Sequence, residues 1–208
     1  MSFLVSCGSS SPPNEDFPAN ALQRLKEGND RFQKGQTLHP HITPQRVAEL
    51  ATTQKPFAVI ISCSDSRVSP ELIFDQGLGD LFVIRTAGNV LSELETGSVE
   101  YAIEHLNVET VIVMGHEDCG ALKAIAENSK EEGNLAALIN HLKEESELKA
   151  IEKAHPSINS LVQANIQHGV LQIKSIPGVV QKKLKQGTLT VIPAEYYLHN
   201  GRVAFLKT

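Results

Sequence analysis

No stretch of this chain approaches the ~18 to 20 continuous apolar residues of a membrane-spanning helix, so no transmembrane segment is expected. Blocks of like charge are missing too. The Lys-rich stretch KKLKQ (182–186) reads as the solvated end of a helix, and no nucleic-acid partner is expected. Cysteine is scarce, with 3 in all, and an odd count argues against a disulfide framework. No internal repeat of fixed period is present, which excludes solenoids and arrays. What is there is ordinary: 41% hydrophobic and 21% charged residues over 208 positions, with a formal net charge of −5. That length suffices for one compact α/β domain with a substantial core.

The start of the chain, MSFLVSCGSSSPPNED, has neither a helical nor a strand period. Residues 1–18 therefore read as a disordered segment ahead of a single domain spanning 19–208. LVSC followed by a Ser-rich tail is similar to the processing site of a bacterial lipoprotein. Only six residues precede Cys7, too few for a charged region plus an apolar core of ~7 to 15 residues. A cytoplasmic location is the expectation. Tethering to a membrane through Cys7 is the alternative if the native chain begins further upstream.

Leu22, Leu25 and Phe32 share one face of a helix expected over about 19–34, stopped by Gly35. Thr43-Pro44 signals a second short helix reaching about 53. FAVIIS (57–62) lacks polar alternation and is too short for a helix, so it reads as a buried strand. Ser69-Pro70 opens another short helix, and LFVIRTAG (81–88) reads as a second buried strand. SELETGSVEYAIEHLN (92–107) is an amphipathic helix, TVIVMG (110–115) a third strand, and a further helix begins near Cys119. Helical stretches follow around 133–153 and 157–186, the latter capped by Ser157. LTVIPAEYYL (189–198) and RVAFL (202–206) flank Asn200-Gly201, a strong hairpin signal. Pro193 inside the first run points to an edge or a bulge. Strands alternating with helices define an α/β fold: a mainly parallel sheet flanked by helices, with a C-terminal hairpin extension.

Two apolar runs end in reactive side chains. CSDSRV (63–68) follows FAVIIS, and GHEDCGA (115–121) closes TVIVMG. Ligands of open parallel sheets bind at the carboxyl ends of the strands, so Cys63, His116 and Cys119 are expected to converge. Two thiolates and one imidazole form a catalytic zinc set with a fourth position left for water or substrate. Soft sulfur ligands favour zinc over magnesium or calcium. A rival reading makes one cysteine a nucleophile with His116 as its base, but that leaves the other thiol unexplained.

Asp65 and Arg67 follow Cys63 closely enough to reach the surroundings of such a metal. Zinc carrying two thiolates is near neutral overall, a weaker Lewis acid than zinc held by three imidazoles, which brings water to a pKa of ~7. A carboxylate beside the bound water would orient it, and an arginine gripping that carboxylate would keep it ionised and fixed.

CSDSRV and GHEDCGA in this order resemble the paired zinc motifs of the β-class carbonic anhydrases. The resemblance extends through LKEGNDRF (25–32), FDQGLGDLFVIRTAGN (74–89) and GSVEYAIEHL (97–106), and covers roughly 20–208. It implies reversible hydration of CO₂ to bicarbonate and a proton, with one Zn²⁺ per chain on Cys63, His116 and Cys119. It assigns Asp65 and Arg67 to the family's Asp–Arg pair, whose aspartate in some members swings onto the metal. Gln76 lies near a glutamine that contacts substrate in part of the family. Arg85 lies near an arginine of an anion-regulated subgroup, which also uses a tryptophan that this chain lacks. The family assembles as a homodimer or dimer of dimers, and the helix containing Phe32 would embrace the partner.

Three other functions fit the same residues. The zinc site would serve a hydrolase of carbon disulfide or carbonyl sulfide if access to it differed. A non-catalytic zinc protein would have Asp65 permanently in the fourth position. A thiol redox sensor would use Cys63 and Cys119 without metal. His105, His141 and His168 are candidates for exporting the proton.

Overall fold

The computed structural model describes residues 20–152 and 156–207. The proposed disorder of residues 1–18 and the Cys7 motif lie outside the described residues. Five strands form one sheet: β1 (Ala58–Cys63), β2 (Leu81–Thr86), β3 (Thr110–His116), β4 (Thr190–Tyr196) and β5 (Val203–Phe205). Their order is β2-β1-β3-β4-β5, with β5 alone antiparallel, against β4. The α/β class and the C-terminal hairpin follow the sequence reading.

Alternation along the strands distributes the core onto two faces, because successive side chains point oppositely. On one face Val59, Ile61, Val111 and Val113 pack with Val99 and Ile103 of α4 (Glu93–His105) and with Val170 and Ile173 of α8 (Ile158–Ser175). On the other, Ala58, Ile60, Ile112 and Met114 meet Leu25 of α1 (Ala21–Gln33) and Ile73 of α3 (Pro70–Ile73). The result is a helix–sheet–helix sandwich.

The local signals act as their chemistry dictates. Thr43 Oγ1 accepts from Arg46 N at 3.2 Å and caps α2 (Pro44–Leu50), whose first residue is proline. Ser92 and Glu95 form a reciprocal capping box on α4. Gly35 ends α1 with φ +63°. Asn29 of α1 is buried, and its amide joins three elements. Nδ2 donates to Ile73 O at 3.1 Å and to Gly201 O at 2.8 Å, while Oδ1 accepts from Val203 N at 2.8 Å. Gly28 beside it has no room for a side chain, since a Cβ there would sit 1.8 Å from Phe74 O.

Four expectations need correction. LFVIRT is not a buried strand: β2 lies at the sheet edge, and only Ile84 is buried. Pro193 is neither at an edge nor in a bulge, because β4 runs between β3 and β5. Its carbonyl accepts from Leu206 N at 2.8 Å, just past the end of β5. The donor it lacks would point to that same side, where the short strand has run out. The stretch 157–186 is two helices, α8 and α9 (Val179–Lys185), separated at Pro177-Gly178. The stretch 133–153 likewise divides into α6 (Gly133–Glu144) and α7 (Ser146–Glu152) around Glu145. The helix near Cys119 is α5 (Gly120–Ala126).

Candidate active site

The chain leaves β1 toward β2 on one side and later returns to β3 on the other, so the sheet reverses direction between β1 and β3. The crevice at such a switch point is where ligands bind in open parallel sheets. Cys63 is the last residue of β1, and His116 the last of β3. Cys119 follows through a tight turn in which Asp118 adopts φ +51°. One sulfur from each cysteine and one ring nitrogen of His116 lie within 4.8 Å of one another. All three residues are buried.

The imidazole is oriented from behind. Its Nδ1 donates to the carbonyl of Glu117 at 2.7 Å, which leaves Nε2 with the free lone pair. That Nε2 is fully buried and has no hydrogen-bond partner, an arrangement that costs free energy unless something occupies its lone pair. The thiols supply the complementary charge. Cys63 is pulled below the ordinary thiol range by the adjacent Cys119 thiol, against its burial, with further help from His116 and two backbone N–H groups. Those groups belong to Asp65, at 3.4 Å from Sγ, and Gly88, at 3.3 Å. Burial pulls the His116 pKa down, yet the net shift is upward because the Cys63 sulfur faces it. The three side chains are thus arranged to hold a positive charge among them. Two sulfurs and one imidazole nitrogen fit zinc by ligand type and by number.

Asp65 stands beside this group, with Oδ2 4.0 Å from His116 Nε2. The CSDSR loop is an Asx-type turn in which Asp65 Oδ1 accepts from Arg67 N at 2.9 Å. The Arg67 guanidinium grips the same carboxylate through Nε and Nη2. Arg67 therefore holds Asp65 well below the usual carboxylate range, outweighing burial.

Four further groups support the site, and of these the sequence reading names only Arg85, for a different role. Arg85 reaches back from β2, donating to Cys63 O at 3.1 Å and to Asp65 O at 2.9 Å, and so fixes the loop backbone. Gly88, at φ +67°, presents its N–H to the Cys63 sulfur; an L side chain there would be strained. Asn165 of α8 donates to Gly88 O at 2.8 Å. The Glu117 carbonyl fixes the imidazole. Positive-φ Gly in RTAGN was a readable signal, whereas backbone donors and the distant Asn165 carry none.

Gln76 is placed differently. Its Oε1 accepts from Arg24 Nε at 2.8 Å and its Nε2 donates to Phe74 O at 2.8 Å, in a buried cluster under α1. Its hydrogen bonds do not run to the Cys–His–Cys group. His105 stacks near Tyr101 with ring centroids 5.1 Å apart, and His168 pairs with Glu147.

Fold and site together define the class, an α/β protein with a candidate metal centre at the switch point of its sheet. The chain belongs to the β-class carbonic anhydrase family: the carbonic anhydrase family model matches residues 58–203. A carbonic anhydrase of Mycolicibacterium smegmatis is 37% identical over 195 residues, covering 92% of this chain and 94% of that protein. The solved β-carbonic anhydrase CcaA superposes with a TM-score of 0.73 at 29% identity, over 90% of this chain and 96% of that one. A tetrameric β-carbonic anhydrase of Sordaria macrospora gives 0.72 at 26% identity, over 81% and 89%.

Proposed function

We propose that this chain catalyses the reversible hydration of CO₂ to bicarbonate and a proton at a zinc site. The observation that carries the reading is the unpartnered, buried Nε2 of His116 facing two thiols, beside a carboxylate that an arginine keeps ionised. Cys63, His116 and Cys119 would hold one zinc ion per chain. When bound there, zinc lowers the pKa of a water so that it becomes a nucleophile toward carbon.

Asp65 accepts the hydrogen bond of that water and sets its direction of attack. Arg67 occupies both oxygens of Asp65, which favours the orienting role over service as a fourth ligand. Apolar side chains around the cysteines, Leu122 and Val162 among them, give the uncharged substrate a place free of water. The backbone donors of Asp65 and Gly88 on Cys63 and the loop fixed by Arg85 keep the geometry rigid, so little reorganisation accompanies reaction. A contact of Gln76 with substrate belongs to the same proposal and requires its release from Arg24 or Phe74.

Assembly as a homodimer or dimer of dimers is supported by the tetrameric Sordaria macrospora relative. No described helix is long and apolar enough to cross a membrane. A cytoplasmic setting and a Cys7 tether are separated by mass spectrometry of the native amino terminus.

The test measures zinc content and CO₂ hydration on one preparation at pH 7 and pH 8.5. About one zinc per chain, with hydration faster at pH 8.5, supports the proposal. Full zinc without hydration redirects it to carbonyl sulfide and carbon disulfide, and absence of zinc overturns it.

A further inference from the structure

β2 leaves the sheet at Thr86, and the next three residues, Ala87–Asn89, make one 3₁₀ turn whose Gly88 and Asn89 are buried. Both are left-handed, Gly88 at φ +67° and Asn89 at φ +46°. Glycine adopts that region freely. Asparagine does so at a cost, and a costly backbone conformation persists only where its surroundings hold it. What this turn achieves is the aim of a single donor: Gly88 N lies 3.3 Å from Cys63 Sγ. It also abuts the helix of the second cysteine. A Cβ on Gly88 would sit 3.1 Å from Ala121 Cβ, and α5 begins directly after Cys119.

The ends of the turn are fixed along the sheet. Ser64 N donates to Thr86 O at 2.9 Å, and Thr86 Oγ1 donates across the turn to Val90 O at 2.6 Å. Its middle is held from the opposite wall, by Asn165 of α8. Asn165 Nδ2 uses both hydrogens there, donating to Gly88 O at 2.8 Å and to Asn89 Oδ1 at 3.2 Å. Asn89 Nδ2 has no partner among the described residues, so the bond from Asn165 is what orients the Asn89 amide. Gly88 thus faces Cys63 with its N–H and Asn165 with its carbonyl.

Asn165 is the one polar residue on the stripe that α8 buries, between Leu161 and Val162 on one side and Ile166, Gly169 and Val170 on the other. Leu161, Val162 and Ile166 pack in the cluster that contains both cysteines. Asparagine is a poor helix former, and burying its amide costs free energy unless it is hydrogen-bonded. Packing and helix formation would both favour an aliphatic residue at this position. The two bonds to the turn are what an aliphatic residue could not supply. Gln172, two helical turns on, ties α8 to the same segment but past the turn, its Nε2 donating to Leu91 O at 2.9 Å.

We infer that Asn165 is a positioning residue of the metal centre: by holding the Gly88 turn it keeps the Gly88 N–H on the Cys63 sulfur, and so sets how strongly that sulfur donates to zinc. This rests on the zinc site of the proposed function. A hydrogen bond to a ligating sulfur draws electron density from it, and groups one step behind the ligands tune both the affinity and the electronic character of a metal. Without Asn165 the left-handed turn relaxes and its N–H leaves the sulfur. Cys63 is then a stronger donor held in a less fixed position.

The experiment loads the parent, Asn165→Leu, Asn165→Ala and Gln172→Leu with Co²⁺ and records the near-ultraviolet absorption in which thiolate transfers charge to cobalt. Zinc affinity of the same proteins is measured by competition with a chromophoric chelator. Leucine fills the space of the amide and alanine empties it, so a change common to both reports the lost hydrogen bonds and not packing. The charge-transfer band is expected at longer wavelength in both Asn165 variants, because losing the N–H raises the energy of the sulfur electrons. Zinc affinity falls about 10- to 100-fold. Gln172→Leu loses a tie between the same helix and the same segment, yet keeps the spectrum and affinity of the parent. An unshifted band in a folded Asn165 variant overturns the inference, as does an equal shift in Gln172→Leu, which marks a general loosening of α8. A shift in one folded Asn165 variant and not the other assigns the effect to packing and likewise overturns it. Should either variant fail to fold, the other decides against Gln172→Leu. A parent that takes up neither metal overturns the zinc site itself, before any variant is compared.

Discussion

Arg67 holds the carboxylate of Asp65 at three points, by its backbone N and Nε on Oδ1, both at 2.9 Å, and by Nη2 on Oδ2 at 2.7 Å. Two of those contacts come from a planar fork that matches the carboxylate, so the pair fixes direction as well as charge. The Arg67 side chain is 51% exposed and that of Asp65 17%, and an exposed ion pair contributes little to stability. The pair is better understood as positioning the carboxylate than as holding the fold.

Asp65→Asn is therefore expected to lower kcat/KM by about 10²-fold while leaving zinc content and unfolding midpoint unchanged. Arg67→Lys, which keeps the charge but not the fork, should fall between the parent and Asp65→Asn. Stopped-flow hydration and metal analysis on the same samples check both. Undiminished turnover in Asp65→Asn would remove Asp65 from the mechanism.

Removing metal should be visible in stability as well as in activity. Buried His116 Nε2 has no hydrogen-bond partner among the described residues and groups with the two thiol sulfurs within 4.8 Å, so a metal binding only the folded chain raises stability by about 2.7 kcal/mol at a hundredfold excess over its Kd. Dialysis against a strong chelator is expected to abolish hydration and lower the unfolding midpoint by several degrees. Zinc should restore both, and magnesium or calcium neither. An unfolding midpoint indifferent to zinc would argue against binding at this site.

Asn29 tests the packing that carries the site's sheet. Its amide satisfies the carbonyls of Ile73 and Gly201 and the N–H of Val203, all within 3.1 Å. Asn29→Ala leaves those backbone groups buried and unpaired at the junction of α1, α3 and the hairpin. A loss of about 2–4 kcal/mol in urea unfolding is expected. A loss below about 0.5 kcal/mol, the range of ordinary surface changes, would mean that water replaces the amide.

The legible parts of this protein were those that local chemistry writes into contiguous residues. FAVIIS closing on Cys63, TVIVMG closing on His116, the Thr43 and Ser157 caps and the Asn200-Gly201 turn all appear where their local rules put them. What was misread depended on strand order. LFVIRT and FAVIIS both open as apolar runs, and the sheet order makes one an edge and the other central. The Pro177-Gly178 break was available in the sequence and went unused. Asn165 gains its meaning from the packing of α8 against the Gly88 turn that follows β2, a relation between residues far apart in the chain that no local pattern encodes.

Glu145 provides a prediction independent of the metal site. It lies between α6 and α7, 5% exposed, and its Oε2 has no hydrogen-bond partner among the described residues. Burial, with Glu147 adding like charge, pushes its pKa up to about 8 from 4.5. A carboxyl whose folded pKa is raised is bound to its proton more tightly in the folded state, so stability falls as pH rises from the unfolded value toward the folded one. Below about 4.5 both states carry the neutral acid and the penalty vanishes. Across 4.5 to about 8 the unfolded chain gains the free energy of ionisation that the folded chain forgoes, and above about 8 the cost levels off. Glu145→Gln keeps the shape and removes the titration. Its advantage over the parent in urea unfolding is expected to be near zero at pH 4.5 and to grow to on the order of 2–4 kcal/mol by pH 8. A difference that stays flat with pH would mean that the Glu145 carboxylate is ionised in the folded protein and has found a compensating partner.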